Sequence, residues 1–91
     1  LMANRTLIKG AEAACPTATG TASTFSNATV VRLVNSTATA RLVTVVEEAD
    51  GTVVGSFTMP GNTVEYVEKD PSYAIFAAHA SVLGAKAGFT N

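Results

Sequence analysis

Short runs of β-branched and other apolar residues recur from residue 29 onward, and polar turn residues separate them. The runs follow one another at intervals of about 8–12 residues, which is typical of antiparallel sandwiches and small barrels. This pattern predicts strands at 29–35, 40–48, 52–59, 63–69, 81–84 and 85–90. Residues 73–78 are compatible with a strand or a short helix because Ala and Phe suit both, and the spacing of the neighbouring runs favours a strand.

The clearest local prediction is a β-hairpin that joins residues 42–48 to residues 52–58. The dipeptide Asp50-Gly51 lies between the two runs, and it favours tight hairpins because glycine supplies a positive φ angle. The first run is almost continuously apolar, which suits a strand in the middle of a sheet.

The alternation of apolar and polar positions also predicts which side chains face the core. The expected inward set is Val31, Leu33, Leu42 or Val43, Val45, Val53, Phe57, Val64, Tyr66, Ile75, Ala77, Leu83 and Phe89. Val67 falls on the polar register of its strand. Only 7% of the residues are aromatic, so the core consists mainly of Val and Ala, and association with copies or partners would add to its modest stability.

The N-terminal part of the chain has a different composition. Residues 10–28 are small or polar, with Gly and Pro among them, and long segments without regular structure are often functional in compact domains. We therefore expect an N-terminal strand and extended arm at 1–28 and a β-sandwich domain at 29–91. The arm is either a meandering edge strand or a segment that reaches a neighbouring subunit. In the second case the candidate contact residues are Lys9, Cys15 and Phe25.

The fold expected from these patterns is all-β, a single antiparallel β-sandwich (Ig-like or jelly-roll-like) of about six to seven short strands. A length of 91 residues fits one domain.

The net charge is −1 and only 14% of the residues are charged, which argues against nucleic-acid binding. The apolar fraction is 47%, yet no run approaches the roughly 18 consecutive apolar residues of a membrane-spanning helix. The first residues lack the apolar core of a secretory signal, so we expect synthesis in the cytoplasm.

The residues that could carry chemistry are few. One cysteine and one histidine can form neither an internal disulfide nor a zinc site. His79 lies between two strands with no nucleophile or orienting acid nearby in the sequence. The acidic residues flank apolar strands, where charge favours solubility and edge protection over metal binding or acid–base catalysis; they are Glu47, Glu48, Asp50, Glu65, Glu68 and Asp70. We expect no catalytic residue, no cofactor, no metal and no enzymatic activity.

Several strand-and-turn segments form a recognisable series. They are Val-Arg-Leu-Val-Asn at 31–35, Leu-Val-Thr-Val at 42–45, Gly-Ser-Phe-Thr-Met-Pro at 55–60, Val-Glu-Lys-Asp-Pro at 67–71, Ile-Phe-Ala at 75–77, Val-Leu-Gly at 82–84 and Gly-Phe-Thr-Asn at 88–91. Over residues 30–91 the chain resembles small β-rich virion proteins of marine tailed bacteriophages, especially those of cyanobacteria. The resemblance implies a structural part of a particle, in its head, neck or tail, and no functional position carries over.

The functional expectation is a non-enzymatic structural protein of a phage particle, namely a capsid decoration or cement protein. It would bind a repeating lattice through a sandwich face or the N-terminal arm. The expected partners are copies of itself and the major capsid or tail protein, without nucleic acid or membrane, and the expected location is the virion. The alternatives are a tail or neck component, or an extracellular filament subunit that assembles by strand exchange. A carbohydrate- or receptor-binding module is disfavoured because the chain has no Trp and only Tyr66 and Tyr73 as amphipathic aromatics.

Overall fold

The computed structural model describes the backbone of residues 5–90 and the side chains of residues 7–88. This part of the chain forms eight β-strands and one 3₁₀ helix, Thr19–Thr21, with no α-helix. The strands are β1 Arg5–Ile8, β2 Ala13–Ala14, β3 Val30–Asn35, β4 Arg41–Val46, β5 Val53–Met59, β6 Val64–Glu68, β7 Ala74–Ala77 and β8 Val82–Thr90. The expected all-β class is confirmed, and the strands form two antiparallel sheets packed together, as in a β-sandwich.

The number of strands exceeds the expectation because β1 and β2 both pair with β8. β1 lies in the part of the chain where an N-terminal strand was expected, and β2 lies in the segment expected to be an arm. In the opposite direction, the runs at 81–84 and 85–90 join into one long strand, β8, since no turn interrupts the ladder that it forms with β3. Residues 74–77 form a strand, as the spacing favours.

The two sheets differ in size and order. The larger sheet has the order β1-β8-β3-β6, and β2 lies beside β1 on the same edge of β8. The smaller sheet has the order β5-β4-β7. In the larger sheet Leu33 lies opposite Gly84 and Glu65, and in the smaller sheet Val43 lies opposite Phe57 and Ala77.

The predicted hairpin is confirmed as β4 and β5, but the positive φ angle lies one residue earlier than expected. Asp50 has a φ of 62°, and no glycine in residues 5–90 has a positive φ. Asp tolerates the left-handed region better than most residues, so it can take this position. Glycine is needed at position 51 for a steric reason, because a Cβ there would lie 2.7 Å from Glu48 Cγ and 2.9 Å from Glu48 O.

The core lies between the sheets and contains much of the expected inward set. Val31, Leu33, Val43, Ile75 and Ala77 are fully buried, and Val45 and Phe57 pack against them. The sequence did not indicate several further core residues, which are Cys15, Phe25, Ala28, Val46, Met59 and Val82.

Four of the inward predictions are wrong. Val53, Val64 and Tyr66 are exposed, at 59%, 41% and 42%, and Leu83 is only half-buried. In β6 the side chain that faces the core is that of Val67, which lies opposite buried Val31. The side chain of Phe89 lies outside the described residues.

One buried polar residue joins two turns at one end of the sandwich. The Asn35 amide donates to Thr39 O at 2.8 Å and to Met59 O at 3.2 Å, and its Oδ1 accepts from the Thr37 N–H at 3.2 Å. These bonds satisfy the buried amide, so Asn35 stabilises the β3–β4 turn against the end of β5.

The N-terminal segment is folded onto the sandwich. Ser23 and Ile75 exchange both backbone hydrogen bonds, at 3.0 and 2.8 Å, and the Ala77 N–H donates to Pro16 O at 2.9 Å. Phe25 is 9% exposed and its ring occupies the space above Gly84, where a Cβ would lie 2.7 Å from the ring. Residues 16–25 therefore cover the outer edge of β7, and we call them the covering segment.

The covering segment ends in a left-handed turn that a buried lysine stabilises. Phe25, Ser26 and Asn27 all have positive φ angles, between 52° and 59°. The Lys69 ammonium donates to Ala28 O at 2.7 Å and to Thr24 O at 3.1 Å, which bridges the two ends of this turn. Burial lowers the pKa of Lys69, partly offset by the nearby charge of Asp70.

Candidate functional site

The outer face of the larger sheet carries an open groove of about 420 Å³. Strands β1, β3, β6 and β8 and the residue before β2 supply its lining, which consists of Ile8, Glu12, Arg32, Tyr66 and Ala85. It is a shallow surface feature, and its lining is mainly apolar with one pair of opposite charges.

The groove arises from the pairing register of the sheet. Arg32 lies in β3 with Tyr66 directly opposite on one side and Ala85 on the other. Because side chains on opposite residues of paired strands share a face, these three stand together on the outside of the sheet. Ala85 is 4% exposed and forms a low floor, while Ile8 and Tyr66 are 54% and 42% exposed and form higher walls.

The charged pair in the groove is exposed and therefore weakly held. Arg32 Nη1 lies 3.5 Å from Glu12 Oε2, and the two side chains are 32% and 43% exposed. Such surface pairs contribute about 0–1 kcal/mol, so either partner can exchange its contact for one with another molecule at little cost. The groove thus offers both signs of charge beside an aromatic ring and aliphatic surface.

The predicted assembly residues do not lie on one surface. Cys15 is 2% exposed and Phe25 is 9% exposed, so both are committed to the core of their own chain. Lys9 is exposed, and its backbone N–H donates to Lys86 O at 2.9 Å, next to β1. Burial raises the pKa of Cys15 to about 12, which keeps the thiol protonated and unreactive near neutral pH.

The other candidate groups are dispersed at the surface. His79 is exposed in the turn between β7 and β8, and its Nδ1 accepts from the Ser81 N–H at 3.0 Å. The acidic residues of the β4–β5 loop and of β6 are also exposed. Among residues 5–90, no three His, Cys, Asp or Glu side chains lie close enough together to hold a metal ion.

Sequence reasoning missed the groove because the residue at its floor is small and another lining residue lies in the N-terminal segment. Ala85 carries no apolar signal strong enough to mark a face, and Glu12 lies in the segment expected to be an arm. One signal was present in Arg32, a lone cation in the middle of the apolar run at 30–34. A charge at such a position indicates an outward face with a special polar contact.

No family model, curated protein or solved structure matches this chain. Within the described range, 5–90, no helix has the length and apolar character needed to cross a membrane. The functional argument therefore depends on the surfaces themselves.

Proposed function

We propose that this chain is a non-enzymatic structural subunit of a phage particle, a capsid decoration protein that docks on a repeating protein lattice through the outer face of its larger sheet. The observation that carries the proposal is the groove at Arg32, with its aliphatic and aromatic walls and its exposed charged pair. Aromatic and Arg side chains are the residues that contribute most to protein interfaces.

The fold supports docking by a face over docking by an arm. Two of the three candidate arm residues, Cys15 and Phe25, are buried in their own chain. Releasing them to reach a neighbour would expose core residues, whereas the groove is open in the folded chain. The resemblance of residues 30–91 to virion proteins of marine tailed phages supports the particle assignment, with the capsid protein as partner and the virion as location.

The test is co-sedimentation of the purified chain with phage heads and, separately, with phage tails. We expect saturable binding to heads and at least about tenfold weaker binding for Arg32→Glu, because a like charge beside Glu12 would repel it and alter the groove. Lys9→Glu makes the same charge change outside the groove and is expected to bind like the wild type.

Each other outcome has a definite meaning. If Lys9→Glu loses binding and Arg32→Glu does not, the N-terminal segment is the docking element and the proposed face is wrong. Binding to tails alone would favour the tail or neck alternative. Binding to neither particle would contradict the proposed function.

The groove also favours a second candidate function, carbohydrate binding. Tyr66 exposes part of its ring beside Arg32 and Glu12, and sugar rings bind where an aromatic surface adjoins charged hydrogen-bonding groups. A glycan array would show a signal that Tyr66→Ala abolishes if this function is correct. An array without signal, together with binding to heads, would exclude it.

A further inference from the structure

The edges of the two sheets are protected in different ways. The covering segment pairs with the outer edge of β7 through Ser23 and Ile75. The outer edge of β6 carries Glu65 and Glu68, and charged residues discourage pairing with another strand. The far edge of β8 is occupied by two short strands, β1 and β2.

Among the described residues, the outer edge of β5 has no covering segment and no charge, and its regular part, residues 55–59, follows a β-bulge at Val54. Its sequence, Val-Val-Gly-Ser-Phe-Thr-Met at Val53–Met59, contains no charge and no proline. No strand of the described residues pairs with its outer side. Natural proteins rarely leave a strand of this length uncharged and uncovered, because it is a template for another chain.

The pairing pattern shows which backbone groups point outward from β5. The Ala78 N–H donates to Leu42 O at 2.8 Å, so Leu42 bonds toward β7. Hydrogen bonding alternates from side to side along a central strand, so Val43 bonds toward β5 and its partner there is Phe57. The N–H and C=O groups of the alternate residues, Ser56 and Thr58, therefore point to the open edge.

Gly55 lies beside a β-bulge in β5. Gly55 pairs with Val45 and Val53 pairs with Val46, so Val54 is the extra residue of the bulge. The φ of Gly55 is not positive, and a Cβ added to it would have no atom within 4 Å, so neither the backbone conformation nor the packing of the single chain requires glycine. Glycine inside a strand commonly marks a bulge, as here, and it also leaves space in which another chain can come close. The residue that it would face across an antiparallel two-fold axis at Ser56 is Phe57 of the second copy.

We propose that two copies of this chain associate by antiparallel pairing of β5 with β5, around a two-fold axis at Ser56. Gly55 then lies opposite Phe57 of the second copy and leaves room for its side chain, and the regular pairing extends over residues 55–57. No like charges meet in this register. The pairing joins the two smaller sheets into one continuous sheet, and it does not depend on the function proposed for the groove.

The first test is the mass in solution, measured by light scattering from about 10 µM to 1 mM, the range in which weak interfaces are occupied. The wild type is expected to rise from the mass of one chain toward that of two. Ser56→Lys places two ammonium groups opposite each other and is expected to weaken association at least about tenfold. Ser72→Lys, the same substitution in an exposed turn, is expected to behave like the wild type.

Three results would overturn the proposal. They are a single-chain mass for the wild type at every concentration, a dimer that persists in Ser56→Lys, and growth beyond two chains. Circular dichroism in dilute solution verifies that Ser56→Lys is folded, which is expected because Ser56 is exposed.

A cross-link provides a second, geometric test. Cα atoms of a hydrogen-bonded antiparallel pair lie about 5.5 Å apart, within the range that a disulfide bridges. Under mild oxidation Ser56→Cys is expected to form a covalent dimer, and Ser72→Cys is not. Cys15 does not compete, because it is buried. Equal cross-linking of the two variants, or none in either, would contradict the pairing at Ser56.

Discussion

The two outer edges of the smaller sheet, β7 and β5, differ in whether another segment of the chain pairs with them. The β7 edge is covered by the chain itself: Ser23 exchanges two backbone hydrogen bonds with Ile75, and Pro16 O accepts one from the Ala77 N–H. The β5 edge carries no charge, and within residues 5–90 no segment covers it. A β-sandwich of 91 residues has few residues outside its strands and turns that could cover a sheet edge. Its N-terminal segment closes one edge, and the other remains able to pair with a second copy.

The covering segment depends most on Phe25. Phe25→Ala removes a ring that fills the space above Gly84, and truncation of a buried Phe costs about 3–5 kcal/mol. We expect the β7 edge to open as well, so the Ile75 amide should exchange faster than the global loss of stability explains. Hydrogen exchange followed by NMR measures both effects. Should Ile75 and Val31 lose protection equally, the segment would not open separately from the core.

The fit between Phe25 and Gly84 can be disturbed without making a cavity. Gly84→Ala places a methyl group 2.7 Å from Phe25 Cζ and 3.0 Å from Leu33 Cδ2, and overpacking of this kind costs about 1–3 kcal/mol. Urea unfolding provides the measurement. Gly20→Ala is the control, since a Cβ there meets nothing within 4 Å. If Gly84→Ala lowers the free energy of unfolding as much in the Phe25→Leu variant as in the wild type, the clash is not with the Phe25 ring.

Burial of the Cys15 thiol makes the free energy of unfolding depend on pH in the alkaline range. Its pKa is raised from 9.0 to about 12 by burial, so its contribution to stability is fully present below pH 9 and is lost as the pH rises from about 9 to 12. The loss approaches about 1.4 kcal/mol per pH unit in this range. Cys15→Ala is expected to unfold with a flatter pH dependence in the same range.

Lys69 acts in the opposite direction, because burial lowers its pKa and stability rises as the pH passes from that lowered value to 10.5. Since Lys69 is present in both proteins, the difference between the wild type and Cys15→Ala isolates the thiol. Identical pH profiles of urea unfolding would contradict the burial of Cys15.

The smallest expected effect is at the open edge. Gly55→Val adds a β-branched side chain where nothing lies within 4 Å, and replacing a strand glycine gains about 0.5–1 kcal/mol. Thermal unfolding in dilute solution, where single chains dominate, is the measurement. A loss of stability at this dilution would mean that Gly55 is required by the single chain after all.

The strand pattern was predictable from the sequence where a charge or turn residues mark it. In β3 the charge of Arg32 marks the outward register, although Val30 and Val34 share that register, and the β4–β5 hairpin is bounded by clear turn residues, so both were predicted correctly. β6 has apolar residues on both registers, at Val64, Tyr66 and Val67, and pairing with β3 rather than local pattern turns Val67 inward.

The N-terminal segment and the groove were not predictable in the same way. Small and polar residues have no periodicity, so the position of the covering segment depends on tertiary contacts such as that of Phe25 with Gly84. Lys69 is buried because backbone carbonyls of the left-handed turn surround its ammonium, an arrangement that no sequence spacing reveals. The groove exists because register places Ala85 beside Arg32.

The most direct test of the contrast between the two edges is hydrogen exchange of four amides at two protein concentrations. Ile75 and Ala77, which donate to the covering segment, are expected to be protected at both. Ser56 and Thr58 are expected to exchange rapidly in dilute solution and to become protected in concentrated solution, as β5 pairs with a second copy. Rapid exchange of Ile75, or protection of Ser56 in dilute solution, would contradict the account.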